Sequence, residues 1–288
     1  MILPAEVLKK VKLLELNTRK LVNNIFAGEY HTAFKGQGMT FADFREYVPG
    51  DDVRNISWPI SARTGKTYIK TFEEERELTL IIAVDVSGST DFGTGPYFKG
   101  EVMTHIAAIL AFSAVKNNDQ IGLLLFSDQV ELFVPPKKGK GQVHRILRDL
   151  MYFKPKSHRT KMEPALSYLQ GVLKKRATIF VLSDFYDQGF DRHLRLLGRK
   201  HEVIACVVND PAEISIPDIG IVDIQDAESG EILTVDTSST AFREQFEKNV
   251  KERSAQRDKS LRLAQIDRID ISTDADYVDP LIAYFKKR

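Results

Sequence analysis

Asp85-Val86-Ser87-Gly88-Ser89 places one carboxylate and two hydroxyls at alternate positions of a five-residue stretch. Residues two apart on an extended backbone point to the same side, and Gly88 permits a tight bend between the serines. Thr160 and Asp184 bring a third hydroxyl and a second carboxylate from farther along the chain. The five donors are all oxygens, with no imidazole or thiolate, which favours a hard divalent cation over zinc: Mg²⁺ first, with Mn²⁺ or Ca²⁺ as alternatives. Neutral hydroxyl ligands would leave such an ion electron-poor and able to accept a carboxylate from another molecule. The plain alternative is that aspartate and serine at a strand end merely cap a helix.

These residues can meet only if the elements that carry them lie side by side. Leu78 to Asp85 (LTLIIAVD) is a continuous apolar run ending in an acid, as expected of a strand covered on both faces in a parallel sheet. Asp119 to Ser127, Ala177 to Asp184 and Glu202 to Val208 repeat that texture. Helical periods fall between them, at Lys99–Lys116, Gly141–Tyr152, Glu163–Lys175 and Asp191–Lys200. Gln129 to Val134 alternates and runs into Pro135-Pro136, which suits an edge strand. Alternating strands and helices predict an α/β fold with a doubly wound, mostly parallel sheet. Asp85, Thr160 and Asp184 then fall at or just beyond the carboxyl ends of strands, where open sheets of this kind bind their ligands.

The flanks read differently. Residues 1–74 comprise an apolar helical stripe from Pro4 to Ile25, followed by a Gly-rich and aromatic segment with no sustained period, expected to be loops and short strands. Residues 75–209 form the sheet domain. Residues 210–288 are expected to add a hairpin turning at Ser229-Gly230, a long helix over about Ser239–Ile266, a short strand at Ile269–Ser272 and a closing helix.

The 41 Lys+Arg against 40 Asp+Glu leave a formal charge of +1, so no general electrostatic pull toward nucleic acid is expected. The lone Cys206 lies in an apolar run, which reads as a buried thiol in a reducing compartment. The charged N-terminus has neither a signal-peptide core nor a membrane-spanning stretch, so the reading is a cytoplasmic protein with no integral membrane segment.

The order Asp85-x-Ser87-x-Ser89, Thr160, Asp184 resembles the metal-ion-dependent adhesion site of von Willebrand factor type A domains over about Glu75 to Asn209. That resemblance implies that Ser87, Ser89 and Thr160 hold the ion directly or through water, with Asp85 and Asp184 acting largely through water. The stretch FREYVPGDDVRNISWPISARTGK, with TDFG after the serines, resembles more narrowly the bacterial family catalogued as domain of unknown function 58, over nearly the whole chain. Many of its members carry aspartate where this chain has Ser57. The resemblance implies a partner of MoxR-type AAA+ ATPases, acting with them in assembly or maturation of other proteins: an adaptor rather than an enzyme, with a client offering Asp or Glu to the metal.

A haloacid-dehalogenase-type phosphotransferase would also place an aspartate after its first strand and bind Mg²⁺, but Ser87 stands where its second acid is needed to protonate a leaving group. Gly65-Lys66-Thr67 lacks the first Walker glycine, because Ile60 occupies that position. From Pro135 to Lys161 nine basic residues face Asp149 alone. This reads as a solvated face or, since it runs up to Thr160, as a patch in which Lys137, Lys138, Lys140 and Arg159 steer an acidic partner toward the metal. Upstream, Asp51 and Asp52 are expected to pair with Arg54 and Arg63, and Trp58 to be buried against the core.

Overall fold

A computed structural model of the chain describes residues 18, 39–74, 78–228 and 230–287. Thr18 is helical and buried; the rest of the Pro4–Ile25 stripe lies outside the described residues. Of the described residues, 39–74 and Leu78 belong to one compact unit, and Thr18 with those from Thr79 onward to another.

In the smaller unit, β1 (Met39–Glu46) is followed by α1 (Trp58–Thr64) and β2 (Tyr68–Glu74). The two strands pair antiparallel, with Glu46 opposite Tyr68. Pro59 sits in the first turn of α1, and Gly65, at φ 71°, ends it in the left-handed conformation that a side chain would oppose. A seven-residue helix is too short for its period to register in the sequence. Asp51 pairs with Arg45 at 2.6 Å and not with Arg54 or Arg63, while Arg54 pairs with Asp52 at 3.1 Å. Trp58 is 70% exposed, which corrects the expectation that it is buried against the core. As the first residue of a short surface helix it has no apolar layer to enter.

The larger unit runs β3 (Thr79–Asp85), α2 (Lys99–Lys116), β4 (Gln120–Phe126), β5 (Val130–Lys137), α3 (Lys140–Tyr152), α4 (Met162–Val172), β6 (Thr178–Ser183), α5 (Asp191–Lys200), β7 (Glu202–Asn209), the one-turn α6 (Pro211–Ile214), β8 (Ile221–Gln225), β9 (Ile232–Asp236), α7 (Thr240–Ala264), β10 (Asp267–Ser272) and α8 (Val278–Lys287). Six strands form one sheet in the order β10-β7-β6-β3-β4-β5, parallel except for the antiparallel edge strand β5. β10 extends this sheet beyond β7, so the residues after 210 are part of the main layer and not only an addition to it. Pro135 and Pro136 sit on β5, where a missing N–H costs no interior ladder bond.

Alternation sorts the strand residues onto two faces. Ile81, Ala83, Ile179, Val181, Ala205 and Val207 pack with Leu166, Leu169, Leu194, Leu197 and Leu261 of α4, α5 and α7. The other face receives α2, which is apolar nearly all round with Val102, Ile106, Ile109 and Leu110 buried, and Phe285 of α8 lies near Phe180. Strands covered on both faces explain the unbroken apolar runs. Cys206 is buried in β7, where burial pushes its thiol well above the ordinary range. No helix among the described residues is long and apolar enough to cross a membrane.

Candidate functional site

β3 and β6 are adjacent and parallel, so their carboxyl ends deliver Asp85 and Asp184 to the same edge of the sheet. Asp85 is 1% exposed. Its Oδ1 accepts the Ser87 N–H at 2.9 Å and its Oδ2 accepts the Ser183 hydroxyl at 2.8 Å. Burial, with the nearby charge of Asp184, pushes the Asp85 carboxyl up to about 6, although the hydrogen bonds from Ser87 and Ser183 pull the other way. Two acids in close electrostatic contact under little water are a surplus of negative charge that a cation would relieve.

The Ser87 and Ser89 hydroxyl oxygens lie 3.2 Å apart. Ser87 itself is buried and its carbonyl accepts the Thr90 hydroxyl, which opens the 3-10 turn Gly88–Asp91. Thr160 is half-buried in the loop before α4, and that loop is tied on both sides to the same edge. The Gly88 N–H donates to the His158 carbonyl at 2.8 Å, the Lys161 N–H to the Ser127 carbonyl at 3.1 Å, and the Met162 N–H to Asp187 at 2.7 Å. Thr160 is thus bracketed between the serine loop, the end of β4 and the Asp184 loop. The end of β3 with Asp85, the serine turn, the Thr160 loop and the Asp184 loop therefore meet at one edge of the sheet.

The loop after β6 is held hard. Phe185, buried, takes a φ of 58°, a strained conformation for a residue with a side chain, and strain of this kind concentrates at functional loops. Asp184 accepts the Tyr186 N–H through Oδ1. Arg257 of α7 donates to the Asp184 carbonyl at 3.1 Å and to Asn209 at 3.0 Å, with its guanidinium 5.1 Å from the centre of the Tyr186 ring.

Lys99 was not distinguished by sequence reasoning. It is the first residue of α2 and has no exposed surface. Its ammonium donates to Asp184 Oδ2 at 3.0 Å and to Glu213 of α6 at 2.6 Å. Burial alone would depress the ammonium, but the charges of Asp184 and Glu213 outweigh it and hold Lys99 above its ordinary value. A cation in the first turn of a helix opposes the macrodipole, and that misplacement was the one local signal available.

The basic stretch divides. β5 runs antiparallel to β4, so Lys137 pairs with Ile121 while Asp85 pairs with Phe126. Five residues of strand, about 17 Å, separate those levels. Lys137, Lys138 and Lys140 are exposed at the end of the sheet opposite the serine loop, which corrects the inference of nearness drawn from their sequence distance to Thr160. Arg159, between His158 and Thr160, is exposed on the site's own loop.

The class defined by fold and site is an α/β protein with a mostly parallel six-stranded sheet and an oxygen-rich loop cluster at the carboxyl edge of its strands. Within that class the chain belongs to the family described as protein of unknown function DUF58, which it matches over residues 43–256. It is 28% identical over 281 residues to the uncharacterized protein Rv1480 of Mycobacterium tuberculosis, covering 96% of this chain and 88% of that one. Among solved structures it is similar to the conserved hypothetical protein BatB of Bacteroides thetaiotaomicron, with a TM-score of 0.45 and 14% identity over 73% of this chain and all of that one. The SpRpn10 VWA domain gives a TM-score of 0.38 and 13% identity over 71% of this chain and 94% of that one.

Proposed function

We propose that the chain is a cation-dependent protein-binding module. Ser87, Ser89 and Thr160 hold a divalent ion, Mg²⁺ first, and Asp85 and Asp184 orient the water around it. The ion supplies a Lewis-acidic position open to an oxygen anion. A partner's Asp or Glu would be the anion taken there. The observation that carries the reading is the pairing of Asp85 and Asp184, buried at adjacent strand ends beside two converging serine hydroxyls. The donors fit such an ion: two acids and neutral hydroxyls, with Asp85 held above its ordinary range by burial beside Asp184.

The partner is proposed as a MoxR-type AAA+ ATPase, acting on a client in the cytoplasm, where the single buried Cys206 is at home. A phosphotransferase reading is weaker, because Asp85 is turned inward with both oxygens accepting hydrogen bonds and so is poorly presented as a nucleophile. The test is biolayer interferometry against a purified MoxR-type ATPase, in Mg²⁺ and in excess chelator, for wild type and Ser87→Ala. Binding that chelator and Ser87→Ala both abolish is expected. Equal binding in chelator, or none in Mg²⁺, overturns the proposal.

A further inference from the structure

We infer that Lys99 is a resident cation of the adhesion site, which fixes Asp184 and sets how strongly a divalent ion is held. This rests on the cation reading above and adds a residue that controls it. The Lys99 ammonium reaches Asp184 Oδ2 at 3.0 Å from one side and Glu213 at 2.6 Å from the other, wholly shielded from water. The second oxygen of Asp184 is occupied by the Tyr186 N–H. Asp184 is therefore committed to the protein through both oxygens, which suits a carboxylate that acts through water.

The charge count gives Lys99 its consequence. In their ionised forms Asp85, Asp184 and Glu213 offer three negative charges against one from Lys99, so a divalent ion brings the cluster to neutrality. With Lys99 removed the same ion would sit in a net negative cluster, bound more tightly and less attractive to an incoming carboxylate. Lys99 thus exchanges ion affinity for affinity toward an acidic partner. Glu213 keeps the ammonium in place, and its own position is set by a capping box in which Asp210 N–H donates to Glu213 and Asp210 accepts from the Ala212 N–H. Asp210 also accepts from Thr94 and Thr273, joining the loop after the serines to the ends of β7 and β10.

The experiment is Mn²⁺ titration of the full chain followed by electron paramagnetic resonance of the free ion, for wild type, Lys99→Gln, Glu213→Gln and the double variant. Lys99→Gln is expected to bind Mn²⁺ at least about tenfold more tightly and Glu213→Gln more weakly, with the double variant, whose net charge equals that of wild type, returning to within about threefold of it. A purely structural Lys99 would leave the affinities together while stability fell. If Lys99→Gln does not fold, the Glu213→Gln and double-variant comparison still decides, because their predicted affinities differ. Wild-type binding with all folded variants within about twofold overturns the role of Lys99 alone. No Mn²⁺ bound by any of them overturns both this inference and the cation reading beneath it.

Discussion

Asp85→Asn should stabilise the metal-free protein, and by an amount that depends on pH in a defined direction. The Asp85 carboxyl rises from its usual 3.8 to about 6 because it is buried beside Asp184. A group raised on folding favours the folded state below its unfolded value and loses that advantage as pH climbs through the folded value. The cost of holding Asp85 ionised therefore grows between about pH 4 and pH 6, then levels at about 3 kcal/mol. Asparagine keeps an oxygen for the Ser87 N–H and puts an amide toward Ser183, whose hydroxyl can accept as well as donate. In excess chelator at pH 7.5 the variant should be roughly 2–3 kcal/mol more stable by urea unfolding, and near pH 4 the two proteins should converge. Saturating Mg²⁺ should stabilise wild type and leave the variant nearly unchanged. A variant less stable than wild type in chelator at pH 7.5, or a difference that does not change between pH 4 and pH 7.5, would refute the reasoning.

Gly88→Ala places a Cβ 2.0 Å from the Ala227 carbonyl oxygen, at the turn between β8 and β9; it should cost roughly 1–3 kcal/mol and speed amide exchange in that turn, as hydrogen–deuterium exchange would show. His201 accepts the Ala177 N–H, and burial, with Lys200 and Arg176 nearby, holds it neutral down to about 4. Its imidazole should titrate well below the ordinary 6.5 by NMR, so that His201 contributes a loss of stability as pH falls from about 6.5 toward 4; a midpoint at or above 6.5 contradicts this. Arg257→Met removes a buried donor from the Asp184 carbonyl and from Asn209, and should lower stability by roughly 1–3 kcal/mol, readable from the urea midpoint.

The sheet was legible because its strands are covered on both faces, and such strands write themselves as apolar runs: Thr79–Asp85, Gln120–Phe126 and Thr178–Ser183 fall within the segments their texture marks, and Glu202–Asn209 runs one residue past its own. Asp85, Ser87 and Ser89 were legible as a spacing, and Thr160 and Asp184 as residues after separate strand elements. Lys99 was not, because its partners Asp184 and Glu213 lie 85 and 114 residues away and a lysine opening a helix looks like a solvated one. The placement of Lys137, Lys138 and Lys140 failed for the converse reason. Residues near Thr160 in sequence are carried to the far end of the sheet when β5 reverses direction. Trp58 was misread because a large aromatic is usually buried, and a seven-residue helix between two strands gives it nothing to be buried in.

The central claim is that one divalent ion sits among the serine, threonine and aspartate oxygens at the ends of β3 and β6. Its most direct measurement is anomalous diffraction from crystals of the chain soaked in Mn²⁺. A single strong peak within about 2.0–2.4 Å of the Ser87 and Ser89 hydroxyl oxygens, with Thr160 turned toward it, is predicted. A peak elsewhere, or none at saturating Mn²⁺ with the serine loop ordered, would contradict the account.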